Sequence, residues 1–200
     1  MAINLANNSS LANITSLPAS ITGGALTLVS TQTASSSATI DFTSGIDSTY
    51  DSYVFKLINI HPSSNPGIIS FQGTTDGTNY NTTITSTVFR AYHNESGSSS
   101  ALQYAVNFDQ AQGTGLQNLD SGSGNASDKA SSGTLQIFAP SSTTFVKHFI
   151  ANFSNVNDGD FNHNVFVAGY FNTTSAITGI RFQMDSGNID DGIIKMYGVA

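Results

Sequence analysis

The chain has 200 residues, which suits one domain and is long enough to bury a hydrophobic core. Charged residues make up only 10% of it, against about 25% in an average globular protein. The formal net charge of −7 argues against a nucleic-acid partner, which needs clustered cations, and the absence of cysteine excludes disulfides and thiolate metal sites.

Residues 1–38 lack aromatic side chains, and their aliphatic residues follow no sustained helical or strand period. We predict an extended N-terminal arm that becomes ordered by lying on a neighbour, with a flexible tail as the alternative. The start has no basic segment and no uninterrupted apolar run, so we expect neither a signal peptide nor membrane insertion. The candidate assembly contacts of the arm are Ile3, Leu5, Leu11, Ile14, Leu17 and Ile21.

Residues 39–200 form the predicted β-domain. Alternation at Tyr53, Phe55 and Leu57 is typical of a strand with one buried face. Asp76-Gly77 separates two predicted strands, at 68–73 and 82–92, and Asp-Gly accepts the positive φ angles of a tight turn. This pattern predicts a β-hairpin.

A second alternating run, at Leu102, Tyr104, Val106 and Phe108, predicts a half-buried strand with an aromatic inner face. Residues 109–132 are rich in Gly, Ser and Asp and predict a long loop with a functional role or mobility. Further strands are expected at 134–139, 145–153 and 165–171. In the second of them, Phe145, Phe149, Phe153 and Lys147 should share one face.

The last residues predict two more strands. Ile180, Phe182 and Met184 alternate with polar or small residues, a turn follows at 186–188, and a final run at 193–199 leads to the end of the chain. We expect the fold to be complete there. About ten strands without any helical pattern predict an all-β protein, a jelly-roll-like antiparallel β-sandwich, with an immunoglobulin-like sandwich as the alternative.

Few residues indicate chemistry. The four histidines, His61, His93, His148 and His163, show no metal-ligand spacing, and the acidic clusters fall in turns. Neither a nucleophile elbow nor a phosphate-binding loop occurs. We therefore expect no enzymatic activity, no metal and no cofactor.

Glycan binding is a further hypothesis, because two tyrosines stand beside polar residues at predicted strand ends and loops. An aromatic ring next to hydrogen-bonding groups is a common arrangement for sugar recognition. The candidate contacts are Tyr80, Tyr92, His93, Asn94 and Glu95.

Four segments resemble a known group of proteins: IDFTSGID at 40–47, YVFKLINIHP at 53–62, GTLQIFAPSSTTFVKHF at 133–149, and residues 170–200. Together they are similar to small β-rich virion proteins of tailed bacteriophages, particularly marine and cyanobacterial phages. The resemblance spans roughly residues 39–200 and implies a structural protein located in the virion and assembled in the host cytoplasm.

From this resemblance we expect a tail-associated short fibre, collar or baseplate component, attached through its arm. The alternatives are a head decoration protein, which acts as capsid cement, and a glycan-binding module for host attachment. The expected partners are copies of the chain itself, as a homotrimer, other virion proteins, and a host surface glycan.

Overall fold

The computed structural model describes residues 26–200, and these residues form thirteen β-strands and no helix. The strands are β1 (Thr27–Ser37), β2 (Ile40–Phe42), β3 (Ser52–Pro62), β4 (Ile69–Thr74), β5 (Ile84–Asn94), β6 (Ser100–Tyr104), β7 (Ala111–Gly113), β8 (Gln117–Asn118), β9 (Ser131–Phe138), β10 (Lys147–Val156), β11 (Phe161–Phe171), β12 (Gly179–Met184) and β13 (Ile189–Val199).

The strands form two sheets. The large sheet has nine strands in the order β1-β13-β3-β9-β10-β11-β5-β6, with β7 also paired to β5, and the small sheet has the order β2-β12-β4-β8. The strand pairs in both sheets are antiparallel. The predicted all-β class with a sandwich of antiparallel strands is confirmed, whereas the jelly-roll and immunoglobulin topologies stay predictions.

Phenylalanines from both sheets fill the core. The large sheet contributes Phe55, Phe149, Phe153 and Phe171, and the small sheet contributes Phe42, Phe71 and Phe182, none more than 2% exposed. Rings meet edge to face across the interface, with centroids 5.2 Å apart for Phe42 and Phe55 and 5.1 Å apart for Phe71 and Phe149. Each such pair adds about 0.5–1.5 kcal/mol beyond the burial of its area.

Strand β10 shows how the period of two places side chains in this core. Lys147, Phe149 and Phe153 are buried on one face together with Ala151, as the period of two predicts, while His148, Ile150 and Asn152 are exposed on the other face. The Lys147 ammonium donates a hydrogen bond to the carbonyl of Thr173 (3.1 Å), and burial lowers the pKa of this lysine. The prediction is wrong for Phe145, which precedes the strand and is 71% exposed.

The turn at Asp76-Gly77 forms, but it does not close a hairpin. The Asp76 carboxylate accepts hydrogen bonds from the backbone N–H groups of Asn79 (2.7 Å) and Thr78 (2.8 Å), and these bonds hold its pKa well below the usual range. However, β4 lies in the small sheet and β5 in the large sheet, so the turn carries the chain from one sheet to the other. The hairpin prediction is therefore wrong.

The two C-terminal strands are confirmed and also lie in different sheets. Strand β12 pairs with β2 and β4 in the small sheet, whereas β13 lies between β1 and β3 in the large sheet. The turn at 186–188 is thus another connection between sheets.

Strand β1 lies within the range assigned to the arm, and it belongs to the large sheet. It pairs with β13 from Thr27 to Ser37, so the predicted boundary at residue 38 is placed too late. The sequence did not reveal this strand because it is at a sheet edge and buries only Ala34 among its side chains, so no hydrophobic alternation marks it. The arm candidates at positions 3, 5, 11, 14, 17 and 21 lie outside the described residues.

The predicted long loop at 109–132 is ordered, and we call its part from β7 to the bridge at Ser123, residues 111–123, the covering segment. It contains β7 and β8, and Gly67 and Ser123 form an isolated bridge. Two buried glutamines fasten it to the sandwich. Gln117 donates to the carbonyls of Phe108 (2.9 Å) and Asn118 (3.0 Å), and Gln72 donates to those of Thr114 (3.2 Å) and Gly115 (2.7 Å). Together with the fully buried Leu119, these side-chain amides anchor the segment.

Candidate functional site

Large apolar side chains lie exposed on the outer face of the large sheet, near its β6 edge. The exposed fractions are 73% for Leu102, 51% for Tyr104, 55% for Ile150, 44% for Phe89 and 36% for Phe166. We call these five residues the outer apolar patch. Apolar side chains clustered on a surface commonly mark an interaction site.

Strand register makes the centre of this patch continuous. Phe166 on β11 is paired with Phe89 on β5, and Phe89 is paired with Tyr104 on β6. The two phenylalanine rings stack with centroids 4.9 Å apart and an interplanar angle of 11°. A row of aromatic side chains therefore crosses three strands on the outer face of the large sheet.

The same face explains why the prediction for β6 is wrong. Leu102 and Tyr104 do share one face of a strand, but that face points to solvent instead of into the core. The small sheet packs against the other face of the large sheet, where Val88 and Val165 are buried, so it does not cover Leu102 and Tyr104. Alternation alone indicates that a face is apolar, not which surface will cover it.

A shallow depression of about 410 Å³ adjoins the patch. Its lining includes the small residues Ala168 and Gly169, and Ile150, His148 and Tyr170 also line it. The depression is mostly apolar, so it extends the outer apolar patch along β10 and β11.

A second site lies between β5 and β11, on the face opposite the patch. This pocket of about 290 Å³ is lined by Arg90, Tyr92, Ser99, Ser121, Asn157, Phe161 and His163. We call it the Arg90 pocket. Tyr92 and His163 are register partners, and the Tyr92 ring meets those of Phe161 and His163 edge to face, both at 5.7 Å.

The Arg90 guanidinium provides the positive charge of this pocket. It lies 5.9 Å from the ring centroid of Tyr92 and 5.6 Å from that of Phe108. With the Gln103 amide oriented so that its oxygen faces Arg90, that oxygen accepts two hydrogen bonds, at 2.9 and 3.0 Å. Among residues 26–200, no carboxylate forms an ion pair with Arg90. Its charge is therefore not neutralised by the described part of the chain.

His163 is an uncharged polar group in the wall of the Arg90 pocket. It is 5% exposed, and its Nδ1 atom has no hydrogen-bond partner. Burial, and secondarily the nearby Arg90 charge, lowers its pKa to about 4. The imidazole is therefore neutral at pH 7.

The candidate glycan contacts do not form one site. Tyr92 lines the Arg90 pocket, whereas His93 points to the opposite face of β5, beside Asn162 and Asn164. Asn94 organises the turn after β5, because its Nδ2 donates to Ser96 (2.8 Å) and Ser98 (2.9 Å). Glu95 is exposed in the same turn, and its backbone N–H donates to the carbonyl of Asp160 (3.1 Å).

Tyr80 lies near the other end of β5, which begins at Ile84. A strand advances about 3.3 Å per residue, so Tyr92 is about 26 Å along the strand from Ile84. The Tyr80 ring packs on the guanidinium of Arg181 (4.0 Å), which forms a bidentate ion pair with Asp41 at 2.8 and 2.7 Å. In this position Tyr80 covers an ion pair of the small sheet.

Sequence reasoning identified Tyr92 and missed Arg90, Phe161 and His163. Each strand supplies two of these residues at positions i and i+2, so the period of two places each pair on one face. That β11 lies next to β5 is a long-range pairing between distant parts of the chain. A local pattern does not contain that information.

A third pocket, of about 490 Å³, is polar. Asp128, Asp190 and Asp191 line it with His61 and Lys129, and Nδ1 of His61 lies 3.7 Å from the Asp190 carboxylate. Within residues 26–200, no group of three or more His, Asp or Glu side chains is arranged to hold a metal ion.

Over the same residues, no helix has the length and apolar character needed to cross a membrane.

Comparisons with known proteins found no match: no protein-family model, no curated protein and no solved structure is significantly similar to this chain.

Proposed function

We propose that the protein is a non-enzymatic structural subunit of a bacteriophage virion that assembles with copies of itself, as a homotrimer, through the outer apolar patch. The observation that supports self-assembly is the stacked pair Phe89 and Phe166, which is exposed on the outer face of the large sheet. Burying exposed aromatic area is worth about 25 cal/mol per Å², and aromatic residues are enriched at interface cores.

The virion assignment rests on the resemblance of the segments at 40–47, 53–62, 133–149 and 170–200 to phage structural proteins. We place the protein in the tail, as a short fibre, collar or baseplate component. Attachment to other virion proteins would use residues 1–25, which precede β1 and include the six aliphatic arm candidates. A head decoration protein is the alternative placement.

Oligomeric state tests the self-assembly part. By analytical ultracentrifugation, we expect the full chain to sediment with three times the 20.9 kDa mass of one chain. Phe89→Ser combined with Phe166→Ser should shift the protein to monomer. Phe145→Ser is the matched control, because Phe145 is also an exposed phenylalanine but lies outside the outer apolar patch. A wild-type monomer, or a double variant that remains trimeric, would contradict this interface.

Immunogold labelling of intact phage particles tests the placement. Gold at the tail supports the tail proposal, gold over the head selects the decoration protein, and unlabelled particles contradict both. Deleting residues 2–25 should leave a folded protein that no longer joins particles. Normal incorporation of the shortened chain would contradict attachment through the N-terminal segment.

A further inference from the structure

The Arg90 pocket combines three kinds of group that are not used by the outer apolar patch. It has a cation without an acidic partner, an aromatic ring at its wall, and several neutral polar groups. The pocket is formed by one chain, between neighbouring strands of one sheet, so its existence does not depend on the proposed trimer.

We propose that the Arg90 pocket binds an acidic monosaccharide unit, a sugar ring that carries one carboxylate. The guanidinium of Arg90, whose Nε and Nη2 already donate to Gln103, would donate two charge-assisted hydrogen bonds to the carboxylate from its other N–H groups. The Tyr92 ring would lie against the apolar face of the sugar, and its neighbours Phe161 and His163 hold that ring in place.

The polar lining fits a ligand with several hydroxyl groups. Ser99, Ser121 and Asn157 line the pocket and offer both donors and acceptors. A simple carboxylic acid would leave these groups to water, whereas a sugar acid pairs with them.

The charge inside the pocket, not that of the whole chain, favours an anion over a neutral sugar. The formal charge of −7 repels anions at long range, whereas the Arg90 guanidinium is a cation that no carboxylate of residues 26–200 pairs with. Asp160, in the adjoining β10–β11 turn, is paired with Lys129 at 2.8 Å, which reduces its repulsion of an anion. A pocket of about 290 Å³ is at the lower end of ligand-site volumes, about 300–1,000 Å³, which suits one sugar ring.

Saturation-transfer NMR with the full chain tests the proposal. The acidic sugars are glucuronate, galacturonate and N-acetylneuraminate, and the comparison ligands are glucose, galactose and acetate. We expect saturable binding of at least one acidic sugar, at least tenfold tighter than any comparison ligand. Acetate that binds as tightly as the sugar acids would show a plain anion site and overturn the sugar assignment. No saturable binding of any acidic sugar would overturn the proposal.

Variants locate the binding in this pocket. Arg90→Gln and Tyr92→Ala should each weaken binding at least tenfold while keeping the far-ultraviolet circular dichroism of the wild type. Arg90→Lys retains the charge without the bidentate fork and should lie between Arg90→Gln and the wild type. Lys56→Gln is the matched control, because Lys56 also lies over a tyrosine ring, that of Tyr197 at 5.4 Å, outside the pocket. Binding that persists in a folded Arg90→Gln protein would overturn the proposal, whatever the oligomeric state.

Discussion

Two buried titratable residues give this protein opposite responses to pH. Asp120 is 1% exposed, and burial raises its pKa to about 7. His163 is 5% exposed, and burial lowers its pKa to about 4. In both cases the folded chain prefers the neutral form. The two effects act over overlapping pH ranges, so each is best measured in a variant that removes one of them.

Asp120→Asn should remove the part of the pH dependence in which the free energy of unfolding decreases as the pH rises. Between the usual pKa of 3.8 and about 7, the folded chain retains a proton that the unfolded chain releases, so stability falls as pH rises through this window. The slope is at most about 1.4 kcal/mol per pH unit. The asparagine cannot ionise, and its amide oxygen can still accept from the Gly122 N–H (3.1 Å). Urea unfolding from pH 4 to pH 8 should show that the stability of the variant rises relative to that of the wild type across this window, and that the variant is the more stable protein at pH 8.

Exposed Asp51 provides the control for this experiment, since Asp51→Asn changes an acid that is not buried. If the free energy of unfolding of Asp120→Asn depends on pH in the same way as that of the wild type, Asp120 does not contribute to the pH dependence.

His163→Phe should remove the opposite dependence. Between the usual pKa of 6.5 and about 4, the unfolded chain takes up a proton that the buried histidine does not, so stability is lost as pH falls through this window. Phenylalanine cannot take up the proton, and it eliminates the unpaired buried Nδ1. Urea unfolding from pH 7 to pH 4 should show that the variant gains stability relative to the wild type as the pH falls through this window. Exposed His93→Phe should retain the wild-type slope, and an unchanged slope in His163→Phe would refute the assignment.

At the scale of elements, the covering segment from β7 to the bridge at Ser123 depends on amide side chains. Gln117 is fully buried, donates to two backbone carbonyls and accepts from the Ser86 hydroxyl at 2.6 Å. Replacing it by an apolar residue leaves buried polar groups without partners, and each such group costs about 1–3 kcal/mol. The segment should therefore be more sensitive to this single residue than an ordinary loop.

We expect Gln117→Leu to lower the free energy of unfolding by about 2–4 kcal/mol, from the combined loss of these hydrogen bonds. Urea unfolding measures the loss, and amide hydrogen exchange should show faster exchange at 111–123 than in the wild type. Gln32→Leu is the control, because Gln32 is an exposed glutamine on the edge strand β1, and it should change stability by less than about 0.5 kcal/mol. Equal effects of the two substitutions would contradict the fastening role of Gln117.

Local chemistry predicted the strands better than it predicted their partners. The alternation in β10 and β12 gave the correct buried faces because each strand packs one face on the core. Asp76 gave a correct turn but an incorrect hairpin, since turn formation depends on neighbouring residues, whereas the sheet that a strand joins depends on distant ones. The same reason explains the candidate site: Tyr92 could be proposed from its neighbours, but its association with His163 required the pairing of β5 with β11.

For the molecule as a whole, the C-terminal strand occupies an internal position in the large sheet. β13 hydrogen-bonds β1 on one side and β3 on the other, and Ile189, Ile194 and Met196 are at most 1% exposed. Its partners are distant in sequence, because Thr27 pairs with Gly198 and Ser52 pairs with Val199. Such long-range pairing makes the large sheet dependent on residues 189–199.

A chain that ends after Asn188 should therefore fail to form a cooperative structure. Removing β13 leaves β1 without the partner that it has in the large sheet, and it exposes the edge of β3 together with core phenylalanines such as Phe55. We expect no cooperative urea transition by circular dichroism, and strong binding of a hydrophobic dye. A short polar tag added after Ala200, which is exposed and lies beyond β13, should leave the transition midpoint unchanged. A cooperative transition in the truncated chain would mean that the remaining twelve strands form a core without β13, which contradicts its central role in the sheet.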